Sequence, residues 1–289
     1  MSDPYTKLVI REGRELPNAQ GHILNTFDDL EEPLLVELHS CFPNLYTIGP
    51  IHLDYRLQLE TEQQVTLSNS LWQEDRSCIA WLDGQPSKSV LFVSFGSVVS
   101  LTAEQLIEFW YGLVNSGARF LWVRRPGSVL GMEGNEEEIS SVLEVPIEVL
   151  ESTRERGFIV KWAPQEEVLA HGAVGGFLTH SGWNSTLESI VEGVPMLCWP
   201  NGIDQLVISR FVGEVWKIGI DMKDKCDRVV VEDMVRDLME GRRDEFSQRA
   251  TRLSKLAAQA VGEGGSSRRA LSRLVEDIIF NRLEVPKRC

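Results

Sequence analysis

Short apolar runs alternate with segments of helical period along this chain from about Ser89 onward. Val90-Leu-Phe-Val-Ser-Phe95 is a β-rich run that ends in Gly96-Ser97. Thr102-Ala-Glu-Gln105 has the spacing of a capping box and predicts a helix with Leu106, Phe109, Trp110 and Leu113 on one face. Phe120-Leu-Trp-Val123 reads as the next strand, stopped by Arg124, Arg125, Pro126 and Gly127. Gly127 to Ser141, rich in Gly and Glu, reads as a surface loop. A short helix over Ile147 to Arg154, a strand over Phe158 to Trp162 and a helical turn over Glu166 to Ala170 follow. Gly176 to Thr179 is a buried-type strand, Asn184 to Val191 a helix, and Met196 to Trp199 a further strand. Ile203 to Val215 reads as helix, and Val229-Val230-Val231 predicts one more short strand. Val235 to Gly262 is helical and charged, and Ser266 to Leu283 carries an apolar stripe of Leu271, Leu274, Val275 and Ile278.

Strands alternating with helices in this way predict an α/β fold on a parallel sheet. The front of the chain differs. Gly21 to Thr26 and Leu45 to Ile48 read as strands with a helix over Leu30 to His39 between them, one β-α-β unit too small to hold a core of its own. Leu53 to Asn69 is polar without a clear period and reads as a linker. The expected divisions are therefore 1–52, a remnant of an N-terminal domain; 53–75, a linker; 76–265, the main domain; and 266–289, a closing helix and tail.

Composition narrows the class. The chain has 289 residues, 43% hydrophobic and 25% charged, which is ordinary globular make-up. Asp and Glu number 43 against 29 Lys and Arg, a net charge of −14 with basic residues only in isolated pairs. That field repels nucleic acid and anionic membrane, so neither is an expected partner. The apolar stretch Val90 to Leu101 is too short to span a bilayer, and Met1 to Glu15 lacks the apolar core of a signal peptide. The five cysteines, Cys41, Cys78, Cys198, Cys226 and Cys289, follow neither a disulfide nor a zinc pattern. A reducing, cytoplasmic setting is the expectation.

Open α/β sheets bind ligands beyond the carboxyl ends of their strands. Four loops here lie at that edge: Gly96-Ser97, Trp162 to Gln165, His180 to Ser185, and Pro200 to Gln205. Gly182 permits a tight turn, and a helix opening there presents free N–H groups to an anion such as a diphosphate. His180, Asn184 and Ser185 add side-chain donors. Ser185 and Glu188 have capping-box spacing, yet Glu188 could instead accept from ribose hydroxyls, and both readings stay open. Trp162 offers a flat face for a base, Gln165 an amide for its edge, and Asp204-Gln205 the groups that hold sugar hydroxyls. Together they describe a nucleotide-sugar site.

The 44 residues from Trp162 to Gln205, WAPQEEVLAHGAVGGFLTHSGWNSTLESIVEGVPMLCWPNGIDQ, resemble without a gap the signature box of plant secondary-product (family 1) UDP-glycosyltransferases. ILNTFDDLE, YTIGP, WLDGQPSKSVLFVSFGS, RFLWVRRP and RGFIVKWAPQ are similar to the same family, so the resemblance covers nearly the whole chain. Ser181 stands where the box commonly has Cys, and Asn201-Gly-Ile203 replaces a stretch that usually contains an aromatic.

The resemblance implies a GT-B fold of two facing Rossmann-like domains, of which this chain carries the donor-binding one and the end of the other. It implies that Trp162 stacks on uracil beside Gln165 and that Glu188 takes the ribose hydroxyls. His180, Asn184, Ser185 and Ser97 would hold the diphosphate; Trp183, Asp204 and Gln205 would contact the sugar. A terminal Gln in the box goes with UDP-glucose. The implied reaction is inverting transfer to a hydroxyl of a small-molecule acceptor, with no metal and no cofactor. The catalytic His–Asp pair belongs to the other domain, and His22, in a buried-type strand without a placed Asp, is no substitute. His39 and His52 read as surface or linker residues. An inactive UDP-sugar-binding fragment is the alternative, and a nucleotide-sugar epimerase of similar fold a third. The closing helix packs back on the N-terminal domain in this family, so its apolar stripe is expected to be partly exposed here.

Overall fold

The computed structural model describes residues 4–62, 70, 72–131, 141–223 and 225–280. They form two compact units, one taking the chain up to Leu67 and again from Leu253, the other Ser68–Arg252.

The first unit is built on a parallel pair, β1 (His22–Leu24) and β2 (Leu45–Thr47), joined through the helix Asp28–Cys41. The helix Ser266–Ile279 lies on β2. Tyr46 Oη donates to Asp277 Oδ2 at 2.8 Å, Ser267 Oγ donates to the Gly49 carbonyl at 2.6 Å, and Arg268 pairs with Asp54 at 3.0 Å. Of the expected stripe, Leu274 is buried and Leu271 half-buried, while Val275 and Ile278 are 46% and 57% exposed. Pro4–Glu15 is a helix. One feature differs from expectation: the helix Ile51–Glu62 runs into the stretch read as linker, where Leu53 and Leu59 are buried. Ile51, Leu53, Tyr55, Leu57 and Leu59 fall at every second position, so they carry no helical period to announce that helix. Residues 63–69, the rest of that stretch, lie outside the described residues, as do 132–140 of the Gly/Glu loop and 281–289 of the tail.

The second unit is a six-stranded parallel sheet in the order β5-β4-β3-β6-β7-β8: β3 is Val90–Ser94, β4 Arg119–Val123, β5 Gly157–Val160, β6 Val174–Thr179, β7 Met196–Cys198 and β8 Gly219–Asp221. Every residue of β3 and β6 is buried, as central strands covered on both faces must be. Leu91, Val93, Phe95, Leu178, Leu197 and Trp199 meet Phe109, Trp110 and Leu113 of the helix Ala103–Ser116 in one core. Each such side chain contributes about 1.5–3 kcal/mol by leaving water. That helix opens with the expected capping box: Gln105 N donates to Thr102 Oγ1 at 3.2 Å, and Thr102 N donates to Gln105 Oε1 at 2.9 Å.

The Val229–Val231 strand is corrected. These valines lie in a helix, Arg228–Arg236, because Asp227 Oδ1 accepts from the N–H groups of Val229 and Val230 (2.9 and 3.4 Å) and caps it. Val231 and Val235 are buried against the helix Ala103–Ser116, so tertiary packing overrides β-propensity. The sheet closes instead with β8, whose Gly219 runs against β7 so closely that a Cβ there would lie 1.9 Å from the Met196 carbonyl oxygen. No side-chain signal marks such a strand.

Candidate functional site

From β3 the chain moves outward through β4 to β5, then returns to the other side of β3 as β6 and continues to β7 and β8. The order thus reverses between β3 and β6, and the crevice at their carboxyl ends is where an open α/β sheet accepts a ligand. The loops holding Ser97 and His180 sit on its two sides.

His180 is held by glycine on both flanks. A Cβ on Gly96, whose φ is +73°, would lie 2.5 Å from His180 Cε1, and one on Gly182 would lie 2.5 Å from Nε2. Only the absence of both side chains lets the imidazole occupy this slot. Burial pushes the His180 pKa down to about 4, against the opposing pull of the Asp204 carboxylate. The ring is therefore neutral at pH 7 and offers a hydrogen bond from one nitrogen without a full charge.

The helix Trp183–Val191 begins at Gly182, which takes the N-cap position without a side-chain cap; its first internal bond runs from Thr186 N to Gly182 O at 2.9 Å. The N–H groups of Trp183, Asn184 and Ser185 have no carbonyl inside the helix and carry the positive end of its dipole. Of the two readings left open for Ser185 and Glu188, the capping box does not form. Ser185 is the third helical residue rather than the cap, so Glu188 has no cap to complete. Both instead converge on a side chain from a different loop: Gln165 Nε2 donates to Ser185 Oγ at 3.0 Å and to Glu188 Oε2 at 2.5 Å. Burial raises the Glu188 pKa to about 7, with nearby Glu166 adding to the rise and the Gln165 bond opposing it.

Trp162 follows β5 and is half-buried. Its indole N–H donates to Ser70 Oγ at 2.5 Å, and its carbonyl accepts from Asp75 N at 2.9 Å. Trp183 is half-buried with its ring 6.3 Å from that of Trp216. Ser97, Asn184 and Asp204 are exposed. Gln205 is half-buried, and its Oε1 accepts from the backbone N–H groups of Asn201 (2.9 Å) and Gly202 (3.1 Å), capping the helix Ile203–Arg210.

The structure therefore brings Gln165, Ser185 and Glu188 into direct contact and clamps His180 between Gly96 and Gly182. Trp162 and Gln205 are fixed through neighbours of their own. Sequence reasoning missed Ser70, and it missed Arg125, whose guanidinium donates to the Val98 and Val99 carbonyls (3.1 and 3.0 Å) and pins the loop after β3. An arginine ending a strand carries no sign of this.

Residues 52–258 match the family described as UDP-glucoronosyl and UDP-glucosyl transferase. The chain belongs to this family. Among the relatives of this transferase-family chain is the 7-deoxyloganetic acid glucosyltransferase of Catharanthus roseus, 56% identical over 280 residues, which are 96% of this chain and 57% of that protein. The myricetin 3-O-rhamnoside 1,2-glucosyltransferase of Crocosmia x crocosmiiflora is 45% identical, over 96% of this chain and 56% of its own length. Among solved structures, Os79 from O. sativa in complex with UDP superposes with a TM-score of 0.82 at 34% identity, covering 94% of this chain and 59% of that one. The architecture is thus that of the donor-binding half of a GT-B transferase. This chain spans about half the length of the relatives it matches. Among its described residues no helix is long and apolar enough to cross a membrane.

Proposed function

We propose that this chain binds a UDP-hexose, with glucose the preferred sugar, and serves as the donor half of a transferase that glycosylates a hydroxyl of a small plant metabolite with inversion. The observation that carries the reading is the Gln165–Ser185–Glu188 contact set beside an uncapped helix N-terminus at the sheet's switch point. It puts a carboxylate for vicinal hydroxyls next to backbone donors for a diphosphate.

In this reading Trp162 stacks on uracil and Gln165 meets its polar edge, turning from Glu188 as the ribose arrives. Glu188 accepts from the ribose hydroxyls. Ser97, neutral His180, Asn184, Ser185 and the N–H groups of the helix stabilise the charge that grows on the diphosphate as the sugar leaves, so no metal is required. Trp183, Asp204 and the amide nitrogen of Gln205 contact the hexose. No cofactor takes part. The main domain, within residues 76–265, carries all of these groups. The net charge of −14 and irregularly spaced cysteines suit a cytoplasmic setting without nucleic-acid or membrane partners.

Inverting transfer also needs a base at the acceptor hydroxyl. His171 does meet a carboxylate, Asp83, at 3.2 Å, but it precedes β6 and sits at the amino ends of the strands, away from the site. That placement favours a second reading, in which residues 1–289 alone bind UDP-sugar without transferring it. Calorimetric titration with UDP tests the first reading; Trp162→Ala and Glu188→Ala should each weaken binding at least tenfold. UDP affinity unchanged in both variants would overturn it. Product formation from UDP-glucose and a phenolic acceptor by residues 1–289 would overturn the second.

A further inference from the structure

Trp162 is held at both of its polar ends by one stretch of chain. Its indole N–H, which can only donate, reaches Ser70 Oγ at 2.5 Å, 92 residues away in sequence. Its carbonyl accepts from Asp75 N at 2.9 Å. Asp75 is in turn fixed, since its Oδ1 accepts from Ser77 N and Ser77 Oγ at 3.0 and 2.5 Å. Arg76 then grips Glu167 through two guanidinium bonds of 2.8 and 2.5 Å, on the helix Gln165–Ala170 that follows Trp162. Both partners of that ion pair are more than half exposed, so it contributes little energy and mainly fixes register.

We propose that Ser70, Asp75 and Arg76 form a strap that sets the plane of the Trp162 ring, with Ser70 a positioning residue for the nucleobase. The inference rests on the stacking reading of Trp162. A half-buried indole on a loop turns about its side-chain torsions unless its N–H is tied; with backbone and N–H both fixed, the ring face is set before the base arrives. Stacking then costs less ordering of the side chain on binding. The stretch that reads as the end of a linker thus becomes part of the donor site.

A double-mutant cycle on residues 1–289 tests this, with uridine, UDP and inorganic diphosphate each titrated calorimetrically. Ser70→Ala is expected to weaken uridine and UDP about three- to fivefold, the effect of one partly exposed hydrogen bond, and to leave inorganic diphosphate unchanged. Ser70→Thr should restore most of the loss. In a Trp162→Phe background, which keeps a ring but no N–H, Ser70→Ala should add no further loss. Wild-type affinity in Ser70→Ala, or the same loss with Phe at position 162, would overturn the strap. Trp162→Ala separates the two ideas. If it leaves UDP affinity unchanged, the stacking reading falls and the strap with it; if it weakens UDP while Ser70→Ala does not, the strap alone falls.

Discussion

Glu188 is the residue whose chemistry depends most on its surroundings. A carboxyl group raised to about 7 is partly protonated at neutral pH, whereas ribose hydroxyls are best accepted by the ionised form. UDP affinity should therefore rise by about tenfold between pH 6 and pH 8, the change in ionised fraction for such a group. Calorimetry across that range should show the rise, and Glu188→Gln should flatten it. Folding carries the opposite sign. The native pKa lies above the unfolded one, so between about 4.5 and 7 the native state binds more protons and this group's contribution to stability falls as pH rises. Urea unfolding of Glu188→Gln should show a shallower loss over the same window.

His180 is governed by its two glycines. Gly96→Ala places a methyl 2.5 Å from the imidazole at a φ of +73°, so the ring must leave its slot. Diphosphate affinity should drop about tenfold, roughly one lost hydrogen bond to a charged group, while uridine affinity holds. Equal losses for both ligands would show that the loop as a whole had collapsed. The glycines were visible in sequence as turn formers; the contact of Gly96 with His180 was not, because it joins the loops that follow two separate strands.

Among the elements, the helix Arg228–Arg236 shows how packing decides what propensity leaves open. Its Val231 seats on Gly112 of the helix Ala103–Ser116, where a Cβ would come within 2.5 Å of the Val231 Cβ. Gly112→Leu should destabilise the fold by about 1–3 kcal/mol through overpacking, measured by chemical denaturation. Three consecutive valines read as strand because local preference is all a sequence window contains. The capping box at Thr102–Gln105 was legible for the complementary reason, since all its partners lie within four residues. At Ser185–Glu188 the same spacing left two readings open, and no cap forms there. Gly182 had already begun the helix, and the supposed cap residues were engaged by Gln165 from another loop.

At the scale of the whole molecule, the first unit is assembled from the two ends of the chain. Its helix Ser266–Ile279 is fastened to the turn just after β2 through the buried bond from Ser267 to the Gly49 carbonyl. Ser267→Ala leaves that carbonyl unpaired and should cost the unit about 1–3 kcal/mol. Hydrogen exchange should speed up over residues 45–49 while the amides of β3 and β6 stay protected. Exchange unchanged at 45–49 would mean the apolar contacts of Leu274 carry the attachment.

By itself the sequence determined the alternation of strand and helix, the loops at the carboxyl edge of the sheet that form the candidate site, and the family. Each of these is written in short-range period or in one unbroken stretch. Only the tertiary structure decided that β8, not the Val229 run, closes the sheet. It also decided that Glu188 answers to Gln165 rather than to a cap, and that Ser70 holds Trp162. Those outcomes depend on residues 20 to 92 positions apart being brought within hydrogen-bond reach, and no local pattern encodes such a meeting.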